Sequence, residues 1–191
     1  MVVDSSLDEL AAAWTLGPAD WELIGNKSGA TRLGFALVLK FFECEARFPA
    51  GPSEFSDAVV AFVARQVRVG LGEFADYGWG DRSGRAHRSQ IRESFGFRIC
   101  TRSDEDTLVE WLAAEVSPID HRAEHLIGAL SARCRSLRIE PPGRVDRIVG
   151  AARAMFERAF CAQTVERLGT RRVQMLERLV DEATETGCSP S

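Results

Sequence analysis

The sequence predicts an all-α protein made of two small helical modules in tandem, each with helix-turn-helix character. Three observations carry that prediction. Apolar residues recur at i, i+3, i+4 and i+7 along most of the 191 residues. No stretch alternates apolar and polar residues as a half-buried strand does, and no repeat of fixed period is present. Glycine and proline cut the periodic pattern into helix-length pieces, as at Gly17-Pro18, 48–52 and 141–143.

In order, 7–14 is a short helix with Ser5 or Ser6 as its cap and acid in its first turn. A second runs from Pro18 to Ile24 and ends at Gly25-Asn26. The third, Ser28 to Ala46, is apolar around nearly its whole circumference from Leu33 to Phe42, with only Lys40 and Glu43 breaking it. Such a helix belongs at the centre of a bundle. A fourth, Asp57 to Val69, sets Val59, Val60, Val63 and Val67 on one face and keeps Arg65 and Arg68 off it. The glycine-rich stretch 70–84 is a loop or broken helical turn, and a basic helix from Arg82 follows. Residues 100–104 form the seam, giving a first module over 1–100 and a second over 101–183. In the second, Ser103 caps a helix at 104–116, Asp120 caps one running to about Leu137, and a long helix spans 144–168. The long helix aligns Val145, Ile148, Val149, Ala152, Met155, Phe156, Ala159 and Phe160 in one stripe. A last helix covers 170–183, and the polar tail 184–191 is expected to be disordered.

The hydrophobic fraction, 45%, and charged fraction, 27%, are those of a water-soluble globular chain. The longest apolar run, 33–42, contains Lys40 and is about half of a bilayer span, so no membrane segment is expected. Five scattered cysteines without a CxxC pair read as reduced thiols and point to the cytoplasm. The net charge of −4 hides strong local variation. Residues 65–102 carry net +4 and 133–172 net +6, while 103–132 carry net −6. Local field therefore matters more than the total.

The stretch 82–98, RSGRAHRSQIRESFGFR, is the most distinctive. As a helix it places Arg85, Arg88 and Arg92 on one narrow face, Ile91 and Phe95 beside them, and His87, Gln90 and Ser94 on the far side. Only Glu93 offsets the five arginines at 82, 85, 88, 92 and 98. This pattern suits a helix in a DNA groove, with arginine on phosphate or guanine and Gln90 or His87 reaching base edges. Arg144 and Arg147 open the long helix and offer a second grip. Lys27 and Arg32, at the start of the central helix, add candidate phosphate contacts. His121-Arg-Ala-Glu-His125 matches the H-x-x-E-H zinc motif, with Glu124 as base, but names no third ligand. No nucleophilic triad or carboxylate pair falls on a common site. No catalytic residue and no cofactor are assigned.

Several segments together carry a family likeness: LDELAAAWTL at 7–16, NKSGATRLGFALVLKFF at 26–42, RFP at 47–49, VVAFVARQVRV at 59–69, FADYGW at 74–79, HRSQIRESFGFR at 87–98 and RCRSLRIEPPGRVDRIV at 133–149. With these, the chain resembles the N-terminal region of the Tn-three family of replicative transposases over about 7–180. One departure is Ala46, where glycine is more usual before RFP. The resemblance implies helical modules that recognise the transposon's terminal inverted repeats in duplex DNA. It also implies that strand cutting and joining, by a metal-binding DDE carboxylate triad, reside in a C-terminal part absent from this sequence. The chain is therefore expected to be a non-catalytic domain or truncated remnant, with that C-terminal part as a further partner. The alternatives are an assembly module whose arginine faces meet acidic protein surfaces, and a zinc hydrolase built on His121, Glu124 and His125.

Overall fold

The computed structural model describes residues 7–185. The expected caps Ser5 and Ser6, and residues 186–191 of the tail, lie outside them. The chain is all-α, with α1 (Leu7–Trp14), α2 (Pro18–Ile24), α3 (Gly29–Glu45), α4 (Asp57–Val67), α5 (Arg82–Ser94), α6 (Arg102–Trp111), α7 (Ala123–Ser136) and α8 (Val145–Glu185). Short 3-10 turns at Pro52–Glu54 and Leu71–Asp76 and a π-turn at Leu112–Val116 complete the helical content. Among the described residues the one isolated β-bridge pairs Arg98 with Ile139.

The fold divides into two compact units. The first is Met1–Cys100 with Arg133–Pro141, and the second is Thr101–Ala132 with Pro142–Ser191. The segment 133–141, assigned to the second module by sequence, thus groups with the first. It does so through tertiary pairing: Arg98 N–H donates to the Arg138 carbonyl (2.9 Å) and Glu140 N–H to the Arg98 carbonyl (2.8 Å).

The first unit is built around α3. Every residue from Leu33 to Phe42 is buried, as an all-round apolar helix requires. α1, α2, α4, α5 and the 71–76 turn pack on it. Lys40, 6% exposed, keeps its charge by pairing with Glu43 and with Asp20 at 3.6 Å. Burial opposes that charge, and the two carboxylates outweigh it and raise the ammonium pKa. Gly34 lets the Tyr77 ring approach the helix, since a Cβ there would lie 2.1 Å from Tyr77 Cδ2. α3 ends at Ala46, whose φ of 53° is left-handed and whose N–H caps the Phe42 carbonyl at 2.8 Å. That conformation explains why glycine suits this position.

In the second unit α6 starts earlier than expected. Its cap is Thr101, not Ser103, and a reciprocal capping box joins Thr101 to Asp104. The continuation to Val116 is a π-turn, not α-helix. α6 and the π-turn pack on α8, burying Leu108, Leu112, Ala113, Val116, Ile148, Val149 and Ala152. α7 begins at Ala123, three residues beyond Asp120, whose carboxylate instead accepts from the Arg122 N–H at 2.9 Å. α8 contains the break expected between 168 and 170: Gly169 has φ 72° and ψ 156°. The second arm runs on to Glu185, two residues into the expected tail. The apolar stripe of α8 is only half covered, since Met155 and Phe160 are exposed, as are Val165, Leu176 and Leu179 farther along.

Candidate nucleic-acid interface

α5 is mounted on the first unit by one edge. Asp81 caps it, its carboxylate accepting from the Gly84 N–H at 2.7 Å. Gly84 is buried where the chain passes close by, and a Cβ on it would lie 2.3 Å from the Gly78 carbonyl oxygen. His87 and Ile91, one helical turn apart, continue the same edge into the core.

His87 therefore does not occupy the far side of the helix. It lies four residues before Ile91 and shares its face, 8% exposed. Its Nδ1 is 3.0 Å from the Tyr77 hydroxyl, and its ring meets Phe35 edge-on at 5.1 Å. Burial, with the nearby Lys27 charge adding to it and Asp81 opposing, lowers the imidazole pKa. Burial likewise pushes the Tyr77 phenol up to about 12. A neutral ring beside a protonated phenol makes Tyr77 the donor and Nδ1 the acceptor.

Gln90 is also drawn inward. Its Nε2 donates to the Leu23 carbonyl (3.2 Å) and its Oε1 accepts from Lys27 Nζ (3.1 Å). Lys27 Nζ further donates to the carbonyl of Leu23 (2.9 Å) and sits 4.0 Å over the Phe35 ring. Burial lowers its pKa. Arg32 is half-buried over Trp21, its Nε enclosed without a hydrogen bond.

The arginines of α5 separate along its length. Arg82 and Arg85, in the first turn, are exposed, and Arg85 steadies itself on the Gly80 carbonyl at 2.7 Å. Arg88 reaches back to the Pro49 carbonyl (3.1 Å) and lies over Phe48. Arg92 pairs with Glu140 at 2.7 Å, both side chains largely covered. Arg98 is exposed beyond the helix. Two further cations, Arg65 and Arg68, are exposed at the C-terminal end of α4. The structure thus brings His87, Gln90 and Lys27 together under α5 as a polar mount, and leaves Arg82 and Arg85 displayed. In the second unit Arg144 is exposed before α8, and Arg147 is exposed but paired with Glu105.

The zinc motif is not assembled. His121 precedes α7 and stacks near Phe156 at 6.3 Å, so the helical i, i+4 pairing with His125 that the motif requires is not formed. His125 instead lies 3.9 Å from Asp120. Among the described residues no His, Cys, Asp and Glu group is placed to hold a metal ion, and no helix is long and apolar enough to cross a membrane.

A helical domain displaying arginine at the head of a core-mounted helix is the class these features define, and similar proteins give it a context. The chain is 32% identical to the transposase for transposon Tn21 of Escherichia coli over 117 residues, covering 59% of this chain and 11% of that protein. It is 32% identical over 97 residues to the transposase for Tn501 of Pseudomonas aeruginosa, 48% of this chain and 9% of that protein. With the transposase for Tn3926 of E. coli it shares 26% over 104 residues, 54% of this chain and 10% of that protein. The chain thus matches about a tenth of the length of these relatives. The transposase resemblance read from the sequence is borne out. The domain family described as "Domain of unknown function (DUF4158)" matches residues 1–152, and the chain belongs to that family.

Proposed function

We propose that this chain is the DNA-recognition part of a Tn-three family transposase, binding the terminal inverted repeats of the transposon and carrying no catalytic group. The observation that carries this reading is the construction of α5. One edge is fixed by Gly84, His87 and Ile91, and the first turn displays Arg82 and Arg85. A rigid mount with cations at its head is what groove recognition needs, because the guanidinium forks must be presented without disordering the helix. Arg82 and Arg85 are the leading contacts, on phosphate or guanine. Arg98 adds an exposed cation to the first unit, and in the second unit Arg144 is an exposed contact of its own. Arg88 and Arg92 brace the helix from neighbouring segments, and His87, Gln90 and Lys27 hold it from beneath. This role differs from the base-reading expected of His87 and Gln90, since His87 Nδ1 is engaged by Tyr77 and both amide atoms of Gln90 are engaged by Lys27 and the Leu23 carbonyl.

The test is a mobility-shift titration with duplexes carrying the terminal inverted repeats of Tn21, Tn501 and Tn3926 beside scrambled duplexes of equal length. At least one repeat is preferred over its scrambled form, and Arg82→Ala with Arg85→Ala weakens that complex by roughly tenfold or more. Equal affinity for repeat and scrambled DNA, or an unaffected double variant, would overturn the reading.

A second reading, as an assembly module, is favoured by one observation. Beyond its first turns α8 exposes the large apolar side chains Phe160 (59%), Val165 (53%) and Met175 (64%), and exposed apolar surface is what a protein partner covers. It predicts association with protein and no preference among duplexes in the same titration.

A further inference from the structure

We propose that the head of α6 and the head of α8 form a phosphate cradle, in which the Glu105 carboxylate occupies the place of a DNA backbone phosphate until DNA displaces it. The inference rests on the DNA-binding reading and adds to it Arg102 as a contact and Glu105 as a built-in competitor.

One oxygen, Glu105 Oε2, accepts from two guanidinium groups on different helices. Arg147 Nη2 donates to it from α8, and Arg102 Nη1 approaches it at 3.4 Å from α6. Arg102 Nε also lies 3.3 Å from Asp106 Oδ1. Two forks converging on one anionic oxygen is the arrangement that binds phosphate, whose several oxygens would serve both forks at once. The helix amides are not part of the cradle, because the Thr101–Asp104 capping box already engages that turn. The cleft there, about 430 Å³, is lined by the apolar Val109, Ile148, Ala151 and Met155 together with Arg102, Glu105 and Arg147.

The exposures set the direction of exchange. The side chains of Arg102 and Arg147 are 70% and 50% exposed, while Glu105 is 21% exposed. Ion pairs this open to solvent contribute little to stability and are readily broken. A duplex phosphate has an advantage that Glu105 lacks, since its neutralisation releases condensed counterions. On binding, Glu105 must give up both guanidinium groups and swing away, because a carboxylate left beside the phosphate would repel it. Its presence therefore lowers affinity, and it keeps the two arginines from binding polyanions indiscriminately.

The test measures duplex affinity by fluorescence anisotropy for the full chain and four variants. Glu105→Gln tightens binding by roughly three- to fivefold, the size expected when an exposed ion pair no longer has to be broken. Glu110→Gln, which makes the same charge change at an exposed residue of the same cleft, has a smaller effect. Arg102→Ala with Arg147→Ala weakens binding, and adding Glu105→Gln to that pair changes affinity less than about twofold. Equal effects of Glu105→Gln and Glu110→Gln, or a Glu105→Gln gain that persists without the two arginines, would overturn the cradle while leaving the DNA reading intact. No binding of any duplex by the unaltered chain would overturn both.

Discussion

His87 and Ala46 show how single positions carry the first unit. The neutral His87 accepts from Tyr77 inside the core, and its pKa lies below the ordinary value of about 6.5. As the pH falls, the unfolded chain takes up this proton before the folded one does. Stability is thus complete above the ordinary histidine range, falls as the pH drops through it, and levels off below the depressed folded value. Melting curves from about pH 7 to 5 should show this loss. His87→Phe should flatten the dependence over that range while lowering stability throughout, because Tyr77 loses its acceptor. A His87→Phe profile as steep as that of the unaltered chain would contradict the assignment. Ala46 makes the opposite point, a strain that can be relieved. It holds φ 53° at the end of α3, and Ala46→Gly should stabilise the chain by roughly 0.5–1 kcal/mol in denaturant unfolding.

At the scale of the element, α5 depends on backbone closeness at its first turn as much as on its charges. Gly84→Ala would press a methyl group onto the Gly78 carbonyl, and a backbone atom cannot rotate away as a side chain does. It should cost roughly 1–3 kcal/mol. It should also reduce duplex affinity even with every arginine retained, which separates the mount from the charges it presents. Thr101→Ala removes the capping box of α6 and should cost about 1 kcal/mol, read as a lower unfolding midpoint. Thr101 and Asp104 have the spacing of that box, but in the sequence Ser103, nearer the acidic run, competes for the cap position. α3 is legible from an apolar surface that only Lys40 and Glu43 break, and the break in α8 from Gly169. The orientation of α5 is less so. Its buried edge joins Ile91 to a glycine and a histidine, and neither of those two carries a hydrophobic signal.

For the whole molecule, the all-α class and the transposase relationship followed from periodicity and from motifs spread along the chain. The placement of 133–141 in the first unit did not. It depends on Arg98 meeting Ile139 and on Arg92 meeting Glu140, pairings 41 and 48 residues apart that no local pattern encodes. Nor does an apolar stripe reveal whether anything covers it. The stripe on α8 has the spacing of a buried face, and its later part stands exposed. The same limit applied to charge: spacing placed Arg85, Arg88 and Arg92 on one face, but only tertiary partners distinguish the displayed Arg85 from the braced Arg88 and Arg92. The central claim, that displayed arginines bind a DNA backbone, is tested most directly by the salt dependence of affinity for an inverted-repeat duplex. The account predicts a steep fall in affinity between about 50 and 200 mM salt, with a log–log slope shallower by about two for Arg82→Ala with Arg85→Ala. An affinity that does not change with salt, or a double variant with the unaltered slope, would contradict it.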